Sequence, residues 1–536
     1  MRDVVHGSGL RLELDGRSLT IDDVVAFARR EGEAVCTLSD DAWERVEASC
    51  ALKRELIGRE VPIYGVTTGF GDSAHRQISP QKAARLQQNM LRFLGCGTGP
   101  IAPPEVTRAM MLLRANCLAR GNSGVRPEVV ERLLLYLNED ILPLVPERGS
   151  CGASGDLIPL SYLGAALVGE EDVLYEGEVR PSREVLADLG LEPLELEAKE
   201  GLALTNGTSF ITAIAALAVR DAEELALVSD LCTAMASEAL LGNRGHFNAF
   251  IHENKPHPGQ KESAHIISSL LADSHLALDS EEIFATDGLG GREFLELERQ
   301  VQDRYSIRCA PYVSGALRDT LDWVRRWVEI EMNSSDDNPL FDAEGGRVQS
   351  GGNFYAGHMA QAMDSLKVAL ANLCDLMDRQ LELLVDEKFN AGLTPNLIPY
   401  FDEDSPEAGL HHGFKGMQLC SSAMTAEAMK LSAPASVHSR STECHNQDKV
   451  SMGAIAARDA RSIVELTQNI AAIHLIAACQ ALELRGEEKA SPKTRRALEL
   501  VRSRVPFLEA DRRMDEDIEE AAEIIRSGAL SEVVSG

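Results

Sequence analysis

TSFITAIAALAVRDAEELALVSDLCTAMASEALL, residues 208–241, runs from end to end without a glycine or a proline. Alanine, leucine and glutamate favour helix, and nothing here breaks the backbone, so the stretch predicts one rod of about 50 Å at 1.5 Å rise per residue. Residues 358–390 repeat the pattern, and residues 448–485 contain only Gly453 as a possible break. Apolar side chains spread around much of each rod, which predicts burial on more than one side and packing as a bundle. Towards the N-terminus, shorter helices carry clear punctuation. SPQKAARLQQNMLRFLGCG, residues 79–97, offers Ser79 as N-cap, Pro80 at the first helical position and Gly95 near the stop. PPEVTRAMMLLRANCLARG and RPEVVERLLLYLNEDI are punctuated in the same way. Residues 1 to about 60 mix short apolar runs with polar turns and read as an irregular lead-in. The expected class is mostly α: residues 1–200 as an N-terminal domain, and residues 201–536 as a central bundle of long helices with C-terminal helices.

Apolar residues make up 44% and charged residues 26% of the 536, the composition of a soluble chain with a large core. The formal charge of −31 argues against nucleic acid or an anionic membrane as partner, because both need concentrated lysine and arginine. Eleven cysteines are scattered singly with no CxxC, which points to a reducing, cytoplasmic compartment. The N-terminus, MRDVVHGSGL, lacks the apolar core of a signal peptide. The longest apolar stretch, LALTNGTSFITAIAALAV, is interrupted by Asn, Gly, Thr and Ser and suits a buried helix, not a bilayer span. No HExxH or paired histidine spacing exists, so no metal is expected.

Glycine and proline cluster in short connections, where chemistry belongs. Residues 149–155 read GSCGASG, closed by Asp156 and followed by LIPLSYLGAAL. Alone, this is a tight turn into a helix, capped by Ser or Asp; no GK[ST] follows, so it is not a phosphate loop. It is accompanied by YGVTTGFG at 64–71, EGLALTNGTS at 200–209, QDRYSIR at 302–308, NSSDDNPL at 333–340 and HNQD at 445–448. In this order and spacing the set resembles the histidine, phenylalanine and tyrosine ammonia-lyase and aminomutase family, over about residues 60 to 485. The resemblance implies a fumarase/aspartase-like fold, although the GSSxMPxKxNP run of fumarase-type lyases themselves is absent. It also implies that Ala153, Ser154 and Gly155 cyclise into a methylidene-imidazolone (MIO), an electrophile that no ordinary side chain provides. A helix N-terminus after the loop would favour electron density on that ring.

The same resemblance implies the partners. Tyr64 matches the base that removes the substrate's β-proton, and Arg308 matches the group that grips its carboxylate, for which a guanidinium is suited. Tyr305 matches a second catalytic tyrosine. Asn206 and Asn338 match residues that bond the ring oxygen or the carboxylate. Gln302 and Gln447 match lining positions, as do Leu202 and Phe354. Lys415 and Glu443 match a basic and an acidic position at the amine end. Phe93 and Leu94 match the pair that reads the substrate ring. They offer no partner to a phenol or imidazole, and burying such a group unpaired costs about 1–3 kcal/mol. The expected activity is therefore that of a phenylalanine ammonia-lyase of bacterial type, releasing trans-cinnamate. The alternatives are a 2,3-aminomutase, a tyrosine or histidine ammonia-lyase, and a helical scaffold that has lost the chemistry. Asp336, Ala356 and Cys444 depart from the family's usual residues, Asn or Thr, Gly, and Gln. The resemblance further implies a homotetramer whose pockets draw on three chains.

Overall fold

The computed structural model describes residues 9–30, 32–285, 288–297 and 299–535. The N-terminal stretch read for a signal sequence lies, for residues 1–8, outside them. The chain divides into two compact units, each discontinuous in sequence. One holds residues 1–220, 324–364 and 434–459, and the other holds residues 221–323, 365–433 and 460–536.

The first unit opens with a correction. Residues 10–58 are ordered secondary structure, not an irregular lead-in: strand β1 (Leu10–Leu14), helix α1 (Ile21–Ala28), strand β2 (Ala34–Leu38) and helix α2 (Asp40–Gly58). The two strands pair in parallel, joined by α1. A reciprocal cap starts α1: Asp23 N–H donates to Thr20 Oγ1, and Thr20 N–H donates to Asp23 Oδ2. In α2, Ala42, Val46, Cys50, Lys53 and Leu56 are buried at helical spacing. That period is readable, but the charges between those residues obscured it.

Helix α3 (Pro80–Leu94) has the expected limits at Ser79 and Gly95, although the Ser79 hydroxyl makes no capping bond. Helices α4 (Pro104–Ala119) and α5 (Pro127–Asn138) follow, each with proline in the first turn. Helix α4 is buried almost all round from Val106 to Ala119 and forms the centre of this unit. Helices α6 (Leu157–Leu167), α7 (Ser182–Asp188) and α8 (Glu200–Thr205) lead to α9 (Ser209–Ala239). An antiparallel pair of short strands, Thr98–Ile101 and Pro146–Arg148, sets the entry to the loop before α6.

Long helices dominate the rest: α9 with 31 residues, Ala310–Met332 with 23, Gly357–Val385 with 29 and Gly453–Arg485 with 33. The division between the units falls within all four. The third rod starts at Gly453 instead of residue 448 because Ser451 and Met452 N–H donate to the carbonyls of Gly152 and Cys151. Gly453–Arg485 is apolar and long enough to cross a membrane by composition, but 78% of its most apolar window is buried in protein. In the second unit, Arg485 donates to the carbonyls of Ala239, the last residue of α9, and Asn390, in the turn after Gly357–Val385, both at 2.9 Å.

Two consecutive acids organise the ground beneath the loops of the first unit. Asp337 pairs with Lys199 at 2.6 Å, and both side chains are fully buried. Asp336 pairs with Arg114, also fully buried. Helix α8 is thus held at both ends, with Lys199 preceding it and Arg114 bonding the carbonyls of Ala203 and Asn206. Removing one partner of such a pair strands a buried charge at about 3–5 kcal/mol.

Candidate active site

Residues 149–155 fold as a tight turn fixed from several sides. Ser150 Oγ donates to Gly155 O at 3.1 Å and accepts Gly152 N–H at 3.2 Å. The Ser154 carbonyl receives Gly207 N–H at 3.3 Å and Asn206 Nδ2 at 3.4 Å. Asp156 N–H donates to Gly207 O at 2.6 Å. Gly155 has φ +72°, and a Cβ on it would stand 1.9 Å from Gly207 O, so only glycine fits. The Asn206 side-chain oxygen is buried without a partner among the described residues. A compact turn with an unhindered glycine nitrogen and donors aimed at the Ser154 oxygen fits the cyclised group.

Asp156 begins α6 without capping it; its Oδ2 accepts Ile211 N–H at 2.9 Å instead. Burial pushes its pKa up to about 8, Ile211 N–H opposes the shift and the Asp336 charge adds to it.

Around the turn lies a cavity of about 490 Å³. Ten of the candidate residues line it: Tyr64, Phe93, Leu94, Ala153, Ser154, Gly155, Leu202, Asn206, Glu443 and Gln447. Gln447 Nε2 donates to Ser154 Oγ at 3.1 Å. Glu443 accepts Asp72 N–H at 3.1 Å. Its turn is tight, with φ of 51°, 52° and 63° at Glu443, Cys444 and His445, a conformation that non-glycine residues keep only where contacts enforce it. Tyr64 Oη accepts Gly71 N–H at 3.0 Å. Burial pushes the phenol's pKa up, Gly71 opposes the shift, and the Glu443 carboxylate adds to it. Gln87 ties Tyr64's turn to α8: Nε2 donates to Gly65 O at 2.8 Å, and Oε1 accepts Leu202 N–H at 2.9 Å.

The other candidates are not gathered there. Asn338 is not among the lining residues, and its Oδ1 accepts Gly351 N–H at 2.8 Å. Phe354 is half-buried in the turn before Gly357–Val385 and is not among the lining residues. Gln302, Tyr305 and Arg308 line a hollow of their own in the second unit. There Arg308 stacks its guanidinium 4.4 Å from the Tyr305 ring centre and donates Nε to Asp303 O at 3.0 Å. Lys415 is exposed at the start of Lys415–Leu431, also in the second unit.

Sequence reading missed Phe70, Leu86, Met90, Leu157 and Ile158, which make the cavity largely apolar. The spacing 86, 90, 93 marks one face of α3 and could have added two of them. Among the described residues, no group of three or more His, Cys, Asp or Glu side chains is placed to hold a metal.

A family model described as aromatic amino acid lyase matches residues 19–503. The histidine ammonia-lyase of Gloeobacter violaceus is 42% identical over 523 residues, covering 98% of this chain and 97% of its own. The tyrosine ammonia-lyase of Cupriavidus metallidurans is 43% identical over 529 residues and 98% of each chain. The chain belongs to the aromatic amino acid lyase family. Tyrosine aminomutase from Streptomyces globisporus superposes with a TM-score of 0.93 at 37% identity over 98% of both chains. The mostly helical, fumarase/aspartase-like class expected from the sequence is therefore correct. As a member of the aromatic amino acid lyase family the chain is a carbon–nitrogen lyase, of ammonia-lyase or aminomutase type. The expected phenylalanine assignment has no counterpart in these three names, which refer to histidine and tyrosine.

Proposed function

We propose that this chain eliminates ammonia from an aromatic L-amino acid in the cytoplasm, with phenylalanine preferred and trans-cinnamate as product. The ring formed from Ala153, Ser154 and Gly155 supplies an electrophilic carbon that turns the substrate's amine into a better leaving group. Tyr64 takes the β-proton. Its hydroxyl already faces a backbone N–H, which favours the anion, while Glu443 on the same side works against ionisation until a cationic amine arrives. Arg308 holds the carboxylate, since among the described residues its two terminal nitrogens have no hydrogen bond. The working enzyme is a homotetramer in which copies share each pocket, as the family resemblance implies.

The observation that carries the preference is the apolar wall of the lining: Phe93, Leu94, Met90, Leu86, Phe70 and Leu157 present no side-chain donor or acceptor for a ring substituent packed against them. A phenol hydroxyl or an imidazole nitrogen would lose water there without replacement. Incubation with phenylalanine, tyrosine and histidine under one condition tests this; cinnamate should form fastest. Faster coumarate would support tyrosine, the second reading, which the 43% identity to a tyrosine ammonia-lyase favours. A β-amino acid as main product would make the chain an aminomutase.

A further inference from the structure

Asn206 and Gly207 share one peptide group whose polar ends have opposite partners. Its carbonyl oxygen, on Asn206, accepts Arg114 Nη1 at 2.6 Å, and the same nitrogen reaches Ala203 O at 3.2 Å. Its N–H, on Gly207, is directed at the Ser154 carbonyl oxygen at 3.3 Å. Arg114 comes from the buried helix α4, and its charge is met by Asp336, which also accepts Thr208 N–H at 2.8 Å. The approach is close: a Cβ on Gly207 would lie 2.7 Å from both Arg114 Nη1 and Asp336 Oδ1. A guanidinium drawing on a carbonyl pulls electron density out of the amide and makes its N–H a stronger donor. In a low-dielectric interior, hydrogen bonds chained in this way reinforce one another.

We propose that Arg114 is a positioning residue for the reactive turn: it orients and polarises the Asn206–Gly207 peptide, so that Gly207 N–H takes up charge developing on the Ser154 oxygen. This rests on the reading of residues 153–155 as ring-forming. In that ring the Ser154 carbonyl is conjugated with the exocyclic carbon. When a nucleophile bonds to that carbon, the C=C electron pair moves towards the Ser154 oxygen, and a proton from solvent completes the addition. Asp336, paired with the other terminal nitrogen of Arg114, damps the pull. The two residues therefore act in opposite directions on ring reactivity, which a purely mechanical clamp would not do.

Cyanide, added without substrate and followed by protein mass, tests the proposal. The neutral pair Arg114→Gln/Asp336→Asn should still lose two waters on ring closure, yet add cyanide roughly ten-fold more slowly than the wild type, since a weakened donor costs less than a deleted one. Asp336→Asn alone still offers an oxygen to Thr208 and should add cyanide at the wild-type rate or faster. A matured neutral pair reacting at the wild-type rate, or equal slowing in both variants, would overturn the proposal. If the neutral pair fails to fold or to close its ring, the single variant decides alone: an equal or faster rate supports the role, and a slower one refutes it. A wild-type chain at full, uncyclised mass overturns this proposal together with the ring reading, whereas an altered result confined to the variants touches only Arg114.

Discussion

The turn at 149–155 and the segment at 302–308 carry two motifs of the same family, yet this chain finishes them to different degrees. The turn is braced on both sides, by Asn206 and Gly207 on one and by Ser451 and Met452 on the other. Ser154 is 7% exposed. The segment instead presents Tyr305 at 72% exposure with an exposed Gln302 beside it, and Arg308 is steadied by one backbone carbonyl and a ring face. The contrast follows from what each must do. Ring closure asks one backbone nitrogen to approach a carbonyl two residues away, which only rigid enclosure by neighbouring backbone can enforce. In the proposed function, gripping a small carboxylate asks only for a cation and an aromatic held at a surface, which a second copy of the chain would cover.

Changes at the two regions should therefore differ in kind. The largest effect is expected at the turn: Ser154→Ala removes the source of the electrophile and should cut kcat by at least about 10⁴-fold, the scale seen when a covalently acting group is lost. Unchanged turnover in that variant would end the ring hypothesis. Tyr64→Phe, measured by steady-state cinnamate release, should lower kcat by about 10²–10⁴-fold while leaving ring closure by mass intact. At the open segment, Arg308→Gln should act mainly on KM, raising it by roughly ten- to a hundred-fold for the loss of a charge-assisted bond of about 1.5–3 kcal/mol. A fall in kcat with KM unchanged would assign Arg308 another task. Phe93→His places a polar partner on the ring wall and should move the tyrosine-to-phenylalanine ratio of kcat/KM up by about ten-fold. The smallest effect expected is a shift in pH. Burial and the Glu443 carboxylate hold the Tyr64 phenol up, and a base works only once ionised, so Glu443→Gln should move the acid-side, rising limb of kcat/KM to lower pH, whatever it does to the maximum. Movement to higher pH would mean that Glu443 does not act on Tyr64 by charge.

What the sequence made legible was whatever obeys a local rule. Pro80 and Gly95 bound α3 because proline and glycine act on their own backbone. The long helices ran close to their expected limits because nothing in residues 208–241 or 358–390 interrupts them. Residues 10–58 were misread because two short strands must pair across a helix before either is stable, and pairing leaves no local mark. Of the candidate site residues, those near the turn line one cavity, while Asn338 lies outside that lining with its Oδ1 accepting Gly351 N–H. The ion pairs beneath the site were beyond reach: Arg114 and Asp336 are 222 positions apart, Lys199 and Asp337 138. Only folding shows that two adjacent aspartates hold the two ends of one short helix.

The most direct test is the mass of the proteolytic fragment carrying residues 153–155 from fully active protein. Cyclisation requires it to be lighter by two waters than the sequence, with fragmentation blocked between Ala153 and Gly155. A fragment at the full sequence mass, from enzyme that still releases ammonia, would contradict the account.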